Sequence, residues 1–232
     1  MKNFDYIIVG SGLAGVSAVK GIRKEDKEGS IMLVGKEDQM PYNRPPLSKD
    51  LLLGDKKVEE IRIEDEDYYE NQGIKLKLDT KITDIDPDDN RVTDDQKENY
   101  KYGKLMLATG GSPRQLNIPG GQLEGVNYYR YLKDYRSLKD QLDEATRAIV
   151  IGGGFIGSEI AAGLSLNDIE VSVIFPEDYL LERIFPRELA TIVQKEFRDR
   201  GVRVIDGDKP VRIRKDTDGS EIKTDQGTLL QG

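Results

Sequence analysis

The sequence contains no cysteine and no histidine. Without cysteine there are no disulfide staples, no thiolate metal sites, no cysteine nucleophile and no redox-active cysteine pair. Without histidine the commonest general base and the commonest transition-metal ligand are missing, and a Ser-His-Asp triad is impossible within the chain. Difficult chemistry therefore has to come from a cofactor. Positive charge is also short, with 35 Lys and Arg against 43 Asp and Glu and a net charge of −8. That balance argues against nucleic acid as a partner, since such binders need a basic face. Long apolar runs are absent too. The first, "YIIVG" from Tyr6, is too short for a signal core and reads as a strand. No run approaches the roughly 20 residues of a membrane span. The expected location is the cytoplasm.

What is present is an α/β alternation. "FDYIIVGSGLAGVSAVKGIRK" reads as strand, glycine turn and helix. Ile7, Ile8 and Val9 form the continuous apolar run of a buried parallel strand, and Ala14, Ala18 and Val19 then recur at helical spacing. "SIMLVG" supplies the next strand. "EDEDYYENQ" reads as a surface helix, "IKLKLD" as a strand and "ITDIDPDDNRVT" as a hairpin with a polar turn. "KLMLATGGSPR" is another apolar strand, and residues 115–131 look like a connector. After the amphipathic helix "LKDYRSLKDQL" the opening theme returns in "RAIVIGGGFIGSEIAAGLSL" and "IEVSVIF". "PRELATIVQKEFRDRG" has Pro186 near its start and Gly201 after its end, the asymmetry of helix termini. Short strands follow in "VRVID", "VRIRKD" and "EIKTDQG".

Each half thus carries one Gly-x-Gly-x-x-Gly turn between a buried strand and a helix. The first is Gly10-Ser11-Gly12-Leu13-Ala14-Gly15, and the second is Gly152-Gly153-Gly154-Phe155-Ile156-Gly157. In such a turn the first glycine permits the bend, the second lets the backbone approach a pyrophosphate, and the third lets helix and strand pack closely. The helix N-terminus offers free N–H groups and the positive end of its dipole to the phosphates. Neither loop ends in the Lys-Ser/Thr of a triphosphate-binding loop. An acid about 20 residues on should take a ribose hydroxyl. Glu37 and Asp38 are the candidates in the first half and Glu177 in the second. A carboxylate at Glu177 would repel a 2′-phosphate, so the second site should prefer NAD(H) over NADP(H).

One stretch belongs to neither turn. In "PYNRPPLSKDLL", Pro45 and Pro46 are expected to forbid a helix and stiffen a loop that presents Arg44 and Lys49. Taken in order with the first glycine turn, "LATGGSPR" and "IGGGFIGSE", this stretch resembles the ferredoxin/rubredoxin reductase family of FAD- and NAD-dependent flavoproteins. The same set is similar to that of apoptosis-inducing factor and monodehydroascorbate reductase. The resemblance runs through essentially all of the chain.

The resemblance implies an α/β fold of two Rossmann-like, three-layer, parallel-sheet units. An FAD unit would cover residues 1–115 and an NAD unit residues 116–232. Gly10, Gly12, Leu13, Ala14 and Gly15 would hold the FAD pyrophosphate, with Arg44 near the phosphates and adenosine. Ile82 would line the adenine, and Ala108, Thr109 and Gly110 would close over the cofactor. The family places its ribose acid where this chain has Lys36, so Glu37 would have to shift over or the contact is lost. Lys49 would sit at the flavin, paired with Glu159, to tune the cofactor. Gly152, Gly153, Gly154, Ile156 and Gly157 would hold NADH, Phe155 would shield the flavin face, and Arg183 would reach the NADH phosphates or ribose.

The implied reaction passes hydride from NADH to FAD and then electrons to a small redox protein such as a ferredoxin or rubredoxin. Family members continue well past this length. One further apolar strand, a Gly-Asp motif at the flavin and a C-terminal acceptor domain would be expected after "TDQGTLLQG", so the chain reads as the N-terminal part of a longer reductase. The rival readings are a non-catalytic nucleotide-binding fragment, a signalling protein of the apoptosis-inducing type, and another flavin enzyme of the family, an NADH oxidase or a nitrite reductase flavoprotein component.

Overall fold

The structure, a computed structural model, describes residues 2–216 and 219–232. It divides by packing into two compact units. One comprises residues 1–43 and 58–111, the other residues 44–57 and 112–232.

The first unit is built on the strand-turn-helix theme. β1 (Lys2–Val9) leads through the glycine turn into α1 (Leu13–Glu25), and β2 (Ile31–Val34) follows. α2 (Glu66–Asn71) precedes β3 (Ile74–Lys77), then come β4 (Ile82–Asp86), β5 (Arg91–Asp94) and β6 (Asn99–Leu107). The six strands form one sheet in the order β3-β2-β1-β6-β5-β4. β3, β2, β1 and β6 run parallel, while β4 and β5 turn back antiparallel.

Side chains alternate across the strands, so each apolar run supplies two cores. Ile8, Ile31 and Leu33 pack with Val16 and Val19 of α1 and with Tyr69. Ile7, Val9, Met32 and Val34 pack on Val92 and Tyr100 of the antiparallel strands. α2 is therefore not a pure surface helix, because Tyr69 is buried. Its start is as the sequence requires, with Asp65 accepting the Tyr68 N–H at 2.8 Å. At the end of α1 the buried guanidinium of Arg23 donates to the carbonyls of Gly29 and Gln72. β6 starts at Asn99, ahead of the expected "KLML", since its first residues pair with β5 and its later ones with β1.

The second unit repeats the theme. α3 (Leu132–Leu142) covers the amphipathic segment read from the sequence. β7 (Arg147–Ile151), α4 (Phe155–Leu166) and β8 (Glu170–Ile174) follow, then α5 (Arg187–Asp199) and β9 (Arg203–Ile205). β7, β8 and β9 form a parallel sheet in that order. β10 (Pro210–Asp216), β11 (Gly219–Thr224) and β12 (Leu229–Gln231) form an antiparallel sheet. β12 was not expected from the sequence, where its apolar run is only "LL". The helix side of the parallel sheet packs Val150, Val171 and Val173 on Ile160, Ala161 and Leu164. The opposite side packs Ile149, Ile151 and Ile174 on Ile213, Ile222 and Leu230.

Residues 44–57 pack with this second unit, although in sequence they lie within the first half. Leu52 joins the α4 core and touches the bare backbone of Gly163. The expectation that two prolines forbid a helix is also corrected, because Pro45–Ser48 form one 3-10 turn. The prolines occupy its first two positions, where no N–H is needed and the fixed φ suits the turn.

Candidate functional site: two glycine turns and a proline turn

In the first glycine turn, Gly10 has φ +121°, and its N–H donates to Val34 at 2.8 Å. A Cβ at Gly10 would stand 2.1 Å from the Ala108 carbonyl oxygen, and one at Gly15 1.9 Å from the Gly10 oxygen. Both positions are closed by the protein itself. Gly12 is different. A Cβ there would meet nothing within 4 Å, and Gly12 begins α1 with no side-chain cap. The open space and the free N–H groups lie together, which fits an approaching pyrophosphate.

Around this turn, the Ala108 N–H bonds to Val9, while Thr109 and Gly110 are exposed. Leu13 and Ala14 are also exposed, and Ile82 is half-buried against the core that holds Val9 and Val34. Glu37 is half-buried and accepts the Tyr42 hydroxyl at 2.7 Å, so the carboxylate beside the β2 end is oriented.

The second turn shares the closed third glycine and the open second one, but a Cβ at its first, Gly152, would meet nothing within 4 Å. A Cβ at Gly157 would lie 1.9 Å from the Gly152 oxygen, and one at Gly153 2.7 Å from the Phe175 ring. Gly154, at the uncapped start of α4, faces open space as Gly12 does. Gly153 also accepts the Leu181 N–H at 2.7 Å, from a loop that holds Leu181 at φ +61°. That loop carries Glu177 and Arg183, which form an ion pair at 2.7 Å with Glu177 the more buried partner. Phe155 and Ile156 are exposed, and the Phe155 ring meets Phe185 edge-on at 6.0 Å. Phe155 is not a core aromatic.

The proline turn brings Lys49 and Glu159 together. Lys49 Nζ lies 3.1 Å from Glu159 Oε1, with the lysine about half exposed and the glutamate 27% exposed. Arg44 donates to the Arg130 carbonyl at 3.0 Å and lies over the Tyr131 ring. Sequence reasoning missed the residues that hold this turn. The Tyr129 hydroxyl donates to the Leu47 carbonyl at 2.6 Å, and Tyr135 donates to Leu51 at 3.2 Å. Burial pushes the Tyr129 phenol well above its ordinary value, so it stays a donor. Ser48, also missed, donates to Glu159 Oε2 at 2.5 Å. Its only sequence signal was its place beside Lys49.

A cavity of about 780 Å³ runs along β7 and reaches Gly152, Gly154 and Phe155. Its other wall is Leu138, Leu142, Ile213 and Ile222, and neither Glu177 nor Arg183 lines it. Among the described residues β7 pairs with β8 alone. The cavity therefore follows an open strand edge, and the polar contacts expected for a ribose lie elsewhere.

The model of the pyridine nucleotide-disulphide oxidoreductase family matches residues 4–232. The chain is 34% identical to the ferredoxin reductase subunit of 5,5'-dehydrodivanillate O-demethylase from Sphingobium sp. (strain NBRC 103272 / SYK-6), over 99% of this chain and 56% of that protein. It is 36% identical to a rubredoxin-NAD(+) reductase of Pseudomonas putida, over 84% of this chain and 51% of the other. Among solved structures, the covalent putidaredoxin reductase-putidaredoxin complex matches with a TM-score of 0.92 and 32% identity, covering all of this chain and 57% of that one. The chain spans about half the length of the curated relatives it matches. With two turns of one design, the proline turn and a family match along nearly its whole length, the chain belongs to the pyridine nucleotide-disulphide oxidoreductase family.

Proposed function

We propose that this chain is the nucleotide-handling part of an NADH-dependent flavoprotein reductase, with FAD on the first glycine turn and NAD(H) on the second. The observation that carries the reading is the repeated open glycine. Gly12 and Gly154 each start an uncapped helix at the end of a buried strand, with room where a Cβ would be. The electron acceptor in this reading is a small carrier protein of the ferredoxin or rubredoxin type, as the names of the relatives describe. A cytoplasmic location goes with it, the compartment that supplies NADH. Among the described residues no helix is long and apolar enough to cross a membrane.

FAD, when bound, supplies the redox chemistry by accepting a hydride and releasing electrons singly. The chain's own residues bind and orient. The N–H groups after Gly12 and Gly154 face phosphates. Glu177 accepts from ribose hydroxyls and repels a 2′-phosphate, and the exposed Arg183 pairs with it at 2.7 Å. Glu37, oriented by Tyr42, is the matching acid of the first turn. Phe155, exposed at the start of α4, would shield the flavin face until nicotinamide arrives. Lys49 presents a positive charge held by Glu159, and that charge favours extra negative charge on a nearby cofactor.

Equilibrium titrations test the reading. FAD should bind the chain and fail to bind Gly12→Ala, while NADH should bind Gly12→Ala and fail to bind Gly154→Ala. Loss of neither ligand in either variant would overturn it.

A further inference from the structure

We infer that Ser48 is a positioning residue that aims Glu159 at Lys49. The inference rests on the role proposed above for the Lys49–Glu159 pair, and it gives a role to the serine that stands beside Lys49 in the proline stretch.

Glu159 projects from α4, and its carboxylate has two oxygens to commit. Oε1 faces Lys49 Nζ at 3.1 Å, and Oε2 takes the Ser48 hydroxyl at 2.5 Å. Ser48 is buried, whereas Lys49 is about half exposed. An ion pair with one exposed partner gains little by itself and must hold two long side chains in one geometry. A short hydrogen bond from a buried hydroxyl to a carboxylate is the stronger contact. The serine therefore fixes the glutamate, and the fixed glutamate holds the lysine.

The hydroxyl has one proton. Its other acceptor within range is the Pro45 carbonyl at 3.4 Å, a long contact, so the proton goes to Glu159. The turn itself does not depend on this bond. Tyr129 holds the Leu47 carbonyl, and the N–H groups of Lys49 and Leu51 both return to Pro46. Removing the Ser48 hydroxyl should leave the turn in place and release the carboxylate.

The test needs no bound cofactor. Acetylation of Lys49 by acetic anhydride is followed by mass spectrometry in the 232-residue chain, with the other lysines as internal controls. An Nζ held against a carboxylate is less available to the reagent and reacts slowly. Ser48→Thr and Ser48→Val are compared because they share one shape and differ in the hydroxyl, so any packing cost cancels. Lys49 in Ser48→Val should react about two to five times faster than in Ser48→Thr, the range expected for loss of a partly exposed ion pair. Glu159→Gln should match the valine variant, and the control lysines should not change. Equal Lys49 rates in the threonine and valine variants overturn the inference. So does a Glu159→Gln rate equal to that of the unaltered chain, because then no pair exists to be positioned. Failure of FAD or NADH to bind would instead count against the function proposed above, and would leave these rates as they are.

Discussion

Gly12 and Gly15 belong to one turn but answer to different constraints. A methyl at Gly15 would collide with the Gly10 carbonyl, and backbone cannot step aside cheaply. Gly15→Ala should therefore destabilise the fold by about 2 kcal/mol or more, seen as a lower denaturation midpoint. Gly12→Ala places its methyl in open space and should change stability by less than about 1 kcal/mol. Its effect should fall on FAD affinity instead. The same split is expected between Gly157 and Gly154 for NADH. At Glu177 the expected effect is on selectivity. Glu177→Ala should weaken NADH binding and narrow the gap to NADPH, and an unchanged ratio of the two affinities would remove Glu177 from the ribose site. The spacing of the glycines was legible in the sequence, but not that Gly152 stands open where its counterpart Gly10 is closed. Ser48 was not, because its partner Glu159 lies far along the chain and only folding brings the two together.

At the scale of elements, the antiparallel strands of the first unit are held to the parallel ones by a polar knot. Lys77 of β3 bonds to Asp94 of β5, to Tyr100 of β6 and to Glu98. Asp94 is fully buried and also accepts the backbone N–H groups of Gln96 and Glu98. Burial alone would raise its carboxyl, but the bonds from Lys77 and Glu98 outweigh burial and hold it below the usual carboxylate range. Burial likewise opposes the Lys77 charge, and its three bonds overcome that and raise it. A carboxyl lowered by folding stabilises above the usual carboxylate range, and loses that contribution as pH falls through its folded value. A lysine raised by folding stabilises below its ordinary value and loses that contribution only at high alkaline pH. The knot should thus be at full strength at neutral pH. Asp94→Asn should cost about 3 kcal/mol there, and its stability should fall less steeply than that of the unaltered chain below about pH 4. Equal slopes in acid for the two proteins would show that Asp94 does not drive the acid transition. The hairpin itself was legible from its alternation and polar turn. The knot was not, since its members are ordinary surface residue types until the sheet brings them together.

At the scale of the whole molecule, packing assigns residues 44–57 to the second unit. No local pattern announces this. It follows from Tyr129, Tyr135 and Leu52, whose partners lie far away in sequence. The α/β alternation and both glycine turns were read from local pattern, which parallel strands and helices display strongly, and the two Rossmann-like units were implied by the family resemblance. What stayed hidden were long-range contacts and the 3-10 turn, where two prolines start a short helix rather than prevent one. The central proposal is that this chain takes FAD on its first glycine turn and NAD(H) on its second. The most direct measurement is the visible absorbance of the FAD-loaded chain before and after anaerobic addition of NADH. The account predicts a yellow protein that bleaches with NADH and much more slowly with NADPH. A yellow protein whose colour persists with NADH, or a chain that takes up no FAD, would contradict it.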